Sequence, residues 1–160
     1  MKKILLILAL VFSGVFAAKL TQAELESAIA GCKANNASDC RKAGGYYIGD
    51  LYTENLPLAY EYLSKGCNLK DGSSCAQIGL SNLFNKAIGN TMSKEEVLKT
   101  RIEYFKKGCE YNDAFACRRA GSESEAIAQD EANRSIKKEL EREAEKFYRK
   151  ACRLESRYCD

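Results

Sequence analysis

The chain has 160 residues, with 25 Lys and Arg against 22 Asp and Glu, eight cysteines, one proline, and neither histidine nor tryptophan. A charge so nearly balanced argues against nucleic acid as a partner, which usually demands a clear basic excess. Without histidine the usual ligand set of a metallo-hydrolase is missing, and no cofactor motif is read.

The N-terminus opens with a positive head, Met1-Lys2-Lys3, followed by a run from Ile4 to Phe16 that is almost wholly apolar. Val15 and Ala17 fit the small-x-small rule for cleavage. This pattern predicts a signal peptide over residues 1–17 and a single cysteine-rich domain over residues 18–160. The run is 13 residues long, short of the roughly 20 that span a bilayer, so no transmembrane anchor is expected. Once Lys2 and Lys3 leave with the leader, 23 basic residues face 22 acidic ones. The expected product is a periplasmic or secreted monomer whose cysteines are oxidised to disulfides.

The helices follow in chain order. The first is predicted over 22–33, with Thr21 and Glu24 as a capping box, and the second over 37–53. The third spans 57–69 and is opened by Pro57, whose missing N–H does no harm in a first turn. A fourth covers 72–86, and a fifth covers 94–110 behind Ser93 and Glu96. A sixth starts at Asp113, its pattern fading beyond Gly121. The seventh spans 132–153, with Ile136, Leu140, Ala144, Phe147, Tyr148 and Ala151 on one face.

The cysteines punctuate these helices as CKANNASDC, CNLKDGSSC, CEYNDAFAC and CRLESRYC. First cysteines recur after 35, 42 and 43 residues, periods that fit helical-hairpin repeats of about 34–47 residues. Eight residues of straight helix rise about 12 Å, whereas the Cα atoms of a disulfide stand about 4.4–6.8 Å apart. Each pair can therefore bond only where the chain reverses. Asn36, Asp71 and Asp113 are good N-cap residues for the helix that follows, and Asp71-Gly72 reads as a turn dipeptide. Eight cysteines admit many connectivities. Local reversal favours Cys32–Cys40, Cys67–Cys75, Cys109–Cys117 and Cys152–Cys159, each stapling two successive antiparallel helices. Gly44, Gly79 and Gly121 lie one turn after a cysteine, where glycine weakens a helix. Close helix–helix approach is the expected reason.

The flanking residues repeat as well: AYEYLSKGC, RIEYFKKGC and AEKFYRKAC before a first cysteine, and CRKAG, CAQIG and CRRAG from a second. In CRKAGGYYIGDLYTENLPLAYEYLSKGC, residues Ala43, Gly44, Tyr47, Leu51, Ala59, Tyr62, Lys65 and Cys67 stand where the Sel-one-like repeat (SLR) family places them. Residues 20–160 resemble the exported, cysteine-rich subgroup of that family. The resemblance implies an all-α, SLR/TPR-like α/α-hairpin repeat solenoid with one disulfide per hairpin. It also implies a scaffold that binds a protein, a peptide or a peptidoglycan-like cell-wall fragment in its groove. The alternative it carries is penicillin binding with slow β-lactam hydrolysis, the activity of a β-lactamase. The chain departs from the pattern in two ways. Arg101 takes the small-residue place of Ala59 and Ala144. Two units run seven to eight residues longer than the first, near 85–95 and 121–135, and GSESEAIAQDEANRS lacks the aromatic that Tyr47 supplies earlier.

Few single residues point to chemistry. Ser135-Ile136-Lys137-Lys138 matches S-x-x-K, but S-D-N and K-T-G are missing, and one such match is expected by chance in so lysine-rich a chain. The carboxylate pairs Glu95/Glu96 and Glu141/Glu143 read as solvated helix faces, and the basic doublets Lys106-Lys107, Arg118-Arg119 and Lys137-Lys138 as helix C-terminal charge or solvated face. Tyr46 and Tyr47 are adjacent, so one of them is expected to leave the core and line a groove. Asn133-Arg134-Ser135, preceded by Glu131, is an N-x-S acceptor and makes Asn133 a candidate glycosylation site. Asn36-Ala37-Ser38 is read as a helix cap instead.

Overall fold

The computed structural model describes residues 20–49, 54–130 and 133–159, and among these the regular structure is helical, with no strand. The proposed leader, and the last residues of the second predicted helix, lie outside the described residues. Eight α-helices follow one another: α1 (Gln22–Lys33), α2 (Ala37–Ile48), α3 (Leu56–Asn68), α4 (Gly72–Ser81), α5 (Leu83–Lys86), α6 (Lys94–Glu110), α7 (Ala114–Ala128) and α8 (Lys137–Leu154). A short 3-10 turn, Ser156–Tyr158, closes the chain. None of the described helices is long and apolar enough to cross a membrane.

Three hairpins, α1/α2, α3/α4 and α6/α7, share one corner. Ala34, Leu69 and Tyr111 end the first helix of each pair. The next residue, Asn35, Lys70 or Asn112, takes a left-handed conformation with φ of 65°, 67° and 61°. The residue after that donates its N–H back to the carbonyl of Gly31, Gly66 or Gly108 at 2.9–3.1 Å. These are Schellman closures, and the closing residue (Asn36, Asp71 or Asp113) is at once the N-cap of the next helix. Asn36 and Asp113 accept the N–H of Asp39 and Ala116 at 3.2 and 2.7 Å. Asp71 makes no such cap. The reversal lies at Lys70 rather than at the Asp71-Gly72 dipeptide, because Gly72 is already helical.

Disulfides cross these corners at Cys32–Cys40, Cys67–Cys75 and Cys109–Cys117, with Cα atoms 4.4, 4.8 and 4.4 Å apart. All six sulfurs belong to residues at most 2% exposed. The fourth bond, Cys152–Cys159, differs: it ties the end of α8 to the 3-10 turn rather than to another helix, and Cys159 is exposed. No free cysteine remains.

Glycines set the spacing between helices. A Cβ on Gly66 would come within 2.4 Å of the Ser74 hydroxyl, and one on Gly108 within 2.7 Å of Ala116 Cβ, so the two arms of each hairpin touch backbone to side chain. Between hairpins the contact also recurs in register. Gly44 lies under Leu63, Gly79 under Phe105 and Gly121 under Tyr148, where an added Cβ would come within 2.5, 3.2 and 2.6 Å. Each partner stands four residues before the next first cysteine. These positions show why a residue costly to a helix is kept here: no larger side chain fits the approach.

The core runs through the hairpins. Ala59, Leu63, Ile78, Leu83 and Phe84 pack around Cys67–Cys75, joined by half-buried Tyr47, Tyr60, Val97 and Tyr104. Leu25, Ala28 and Ala43 form a second cluster, and Phe147 and Tyr158 cover Cys109–Cys117 and Ala151. Tyr46 and Tyr47 both pack on the core, edge to face at 5.4 Å, and Tyr47 stacks on Tyr62 at 5.9 Å. Both rings are half-buried and touch each other against the same cluster, so adjacency does not force one outward.

Four predicted elements shift. The second helix, predicted to 53, ends at Ile48 with Gly49 as its non-helical C-cap. The helix from Gly72 breaks at Asn82, whose φ is 50°, and a single short turn, α5, follows. The sixth predicted helix continues to Ala128, because Glu123, Ser124 and Ala128 are buried. The last helix begins at Lys137 rather than 132, and Ile136 is exposed at its N-cap instead of joining the apolar face.

Candidate binding surface on α6 and the segment before it

The repeat is interrupted between α4 and α6, and the interruption builds a surface. Left-handed Asn82 turns the chain out of α4. After α5, Gly89 and Asn90 are both left-handed, with φ of 80° and 60°. Asn85 holds this loop: its carbonyl accepts Asn90 N–H at 2.9 Å, and its side-chain oxygen accepts Met92 N–H at 3.0 Å. Ser93 then caps α6, with Glu96 returning a carboxylate to the Ser93 N–H at 2.8 Å. That backbone bond, with the Ser93 hydroxyl second, holds the Glu96 carboxyl below the usual range.

Two cavities meet over the N-terminal half of α6. The larger, about 770 Å³, has an apolar floor of Leu98, Ile102, Ala126 and Ile127 under a rim that includes Lys99, Glu103, Lys106 and Asp130. The smaller, about 480 Å³, lies on an adjoining face of α6 between Asn85, Asn90, Met92, Val97 and Arg101. Lys94 and Leu98 border both.

Behind the smaller cavity is a buried charge cluster. Glu123 is 7% exposed, and its carboxylate accepts Arg101 at 2.7 Å and Arg119 at 3.0 Å. The Arg119 guanidinium also lies 5.5 Å over the Phe105 ring, within cation–π range. Arg119 is therefore not on a solvated face, as the basic doublet had implied. Arg101 stands where Ala59 and Ala144 stand in other units, and it lines the smaller cavity together with Asn85.

The remaining candidates fall elsewhere. All eight cysteines are in the disulfides described. Ser135, Ile136, Lys137 and Lys138 are exposed, and Lys137 is 3.9 Å from Glu141. The S-x-x-K match thus stands in open solvent rather than in a pocket that could exclude water. Glu143 pairs with Lys106 at 2.9 Å, tying α8 to α6. Asn133 is half-buried and donates one side-chain N–H to the Ile127 carbonyl at 3.1 Å. Glu131 of the same sequon lies outside the described residues. Asn36 caps α2, as its sequence context implied.

Sequence reasoning missed Glu123 and the loop around Asn85. The signals were there: a long cation at a small-residue position, and extra residues just before it. Among the described residues no group of His, Cys, Asp and Glu side chains is placed to hold a metal. Compared with known proteins, the chain matches no family model and no curated sequence.

Proposed function

We propose that the chain is an exported helical-repeat scaffold of the SLR type, and that it holds a peptide, protein segment or cell-wall fragment on the surface around α6. The observation that carries this reading is the pair of cavities meeting at Lys94 and Leu98. They join an apolar floor to a charged rim, the pattern of a ligand site. They also form where the hairpin register is interrupted, so the irregularity has a use. The three like corners and the recurring glycine contacts support a repeat solenoid. Four disulfides with no free thiol support an oxidising compartment such as the periplasm or the medium.

Titrating the oxidised chain with a panel of short peptides and soluble cell-wall fragments, followed by amide NMR, tests the reading. Binding should move resonances of Leu98, Ile102 and Ile127, and Leu98→Asp should abolish it while leaving the spectrum of α1 to α4 unchanged. Binding that maps to the opposite face would remove the proposal. β-Lactam hydrolysis rests on the resemblance alone, and turnover of a chromogenic cephalosporin decides it.

A further inference from the structure

We propose that the smaller cavity is a subsite for a carboxylate carried on an apolar body, the end group of the ligand that the neighbouring groove holds. The inference rests on the binding reading above and gives it a ligand class.

The first argument is charge. Lys94 and Arg101 border the cavity, Asn85 and Asn90 bring amide groups, and none of the lining side chains is acidic. The acids nearby are engaged elsewhere: Glu95 borders the other cavity, and Glu96 closes the cap of α6. The second argument is imbalance. Arg101 and Arg119 share the single carboxylate of Glu123, so one positive charge of the cluster is left over. Arg101 of that cluster lines the cavity, so a carboxylate bound there offsets the excess charge.

The walls choose among anions. A guanidinium fork suits carboxylate and phosphate alike. Met92, Val97 and Leu98 present apolar surface next to the cations, which favours an organic acid with a hydrophobic body over a bare inorganic ion.

The experiment is an NMR titration of the oxidised chain with N-acetyl-leucine, with its uncharged amide, and with inorganic phosphate. The acid should shift the side-chain amides of Asn85 and Asn90, and the uncharged amide should bind about tenfold more weakly, the loss of one charge-assisted contact. Arg101→Gln removes a partner from Glu123 and disturbs the fold, so Lys94→Gln is the informative variant. Lys94 is exposed and outside the Glu123 cluster, and its loss should weaken the acid several-fold and flatten the salt dependence. Equal binding of acid and amide, phosphate binding as tightly as the acid, or an unchanged affinity in Lys94→Gln would each overturn the subsite. Peptides that occupy the Leu98–Ile127 groove whatever their end group would overturn the subsite and leave the scaffold reading standing. If no peptide binds at all, both fail.

Discussion

The α3/α4 and α6/α7 hairpins share a corner, a buried disulfide and a glycine that admits the opposite arm. Their interiors differ. The first closes over Ala59, Leu63, Ile78, Leu83 and Phe84, an apolar set. The second places Glu123 between Arg101 and Arg119 against Phe105. A shared clip with unlike fillings teaches that closure of the hairpin and occupation of its flank are separable. The clip needs only the corner, the cysteines and the glycines, so what lies beyond it is free to change. Ionic filling is a costly way to occupy space, since hydrophobic packing of similar volume is often as stable or more so. Of these two hairpins only α6/α7 carries such a filling.

The strongest way to break the comparison is Glu123→Ala. It leaves two guanidinium groups partly buried without their carboxylate. The cost should be about 3 kcal/mol, at the low end for a broken buried pair because both arginines keep some contact with water. Urea unfolding measures it, and a loss under about 1 kcal/mol would mean that the cluster is solvated in practice.

Next comes the contrast between clips. Loop-closure entropy alone gives about 2.5 kcal/mol for either loop length. Cys67→Ala with Cys75→Ala should cost at least that, since two buried side chains are also truncated. Cys152→Ala with Cys159→Ala should cost less than about 1 kcal/mol, because the turn it tethers can fray without exposing the core. Graded reduction with peptide mass mapping should release the terminal pair first. Simultaneous loss of all four would erase the distinction.

The smallest effect sits at the corner itself. Lys70 occupies a left-handed position that asparagine fills in the other two hairpins. Lys70→Asn should stabilise the chain by about 0.5 kcal/mol, because asparagine tolerates that conformation more readily. Thermal unfolding would show a rise of a degree or two, and a fall would mean that the lysine side chain contributes a contact of its own.

The corners were legible because each is spelled locally. Cys-x7-Cys demands a reversal, Asn36 and Asp113 announce the next helix, and Gly44, Gly79 and Gly121 announce close approach. Where the sequence misled, a long-range contact overrode a local signal. Asp71 looks like a cap, yet its carboxylate accepts Arg41 from the preceding hairpin and the Ser74 hydroxyl, both at 2.9 Å. Beyond Gly121 the helical pattern fades because it carries Glu123, which looks like a surface residue until its partners on α6 and α7 are known. Likewise Tyr104 reads only as a core aromatic. In the fold its hydroxyl meets that of Tyr60 at 2.9 Å, and burial together with this bond holds it well above the usual phenol range.

The corners also touch one another. Arg41 reaches Asp71, Ser73 donates to Asp113 at 2.6 Å, Lys107 donates to Asn68 at 3.2 Å, and Gly72 seats against the Gly108 carbonyl. Every covalent clip and each of these links therefore lies along one edge of the stack, as pages are sewn along a binding. The opposite edge carries the segment 82–93, which joins α4 to α6 without a disulfide. The extra residues that separate the second and third clips are taken up there, so the intervals between first cysteines can differ, 35 against 42 residues, while the clips stay in one row. Disulfides that look like a device for rigidity thus also fix which edge of the chain can absorb a change of length.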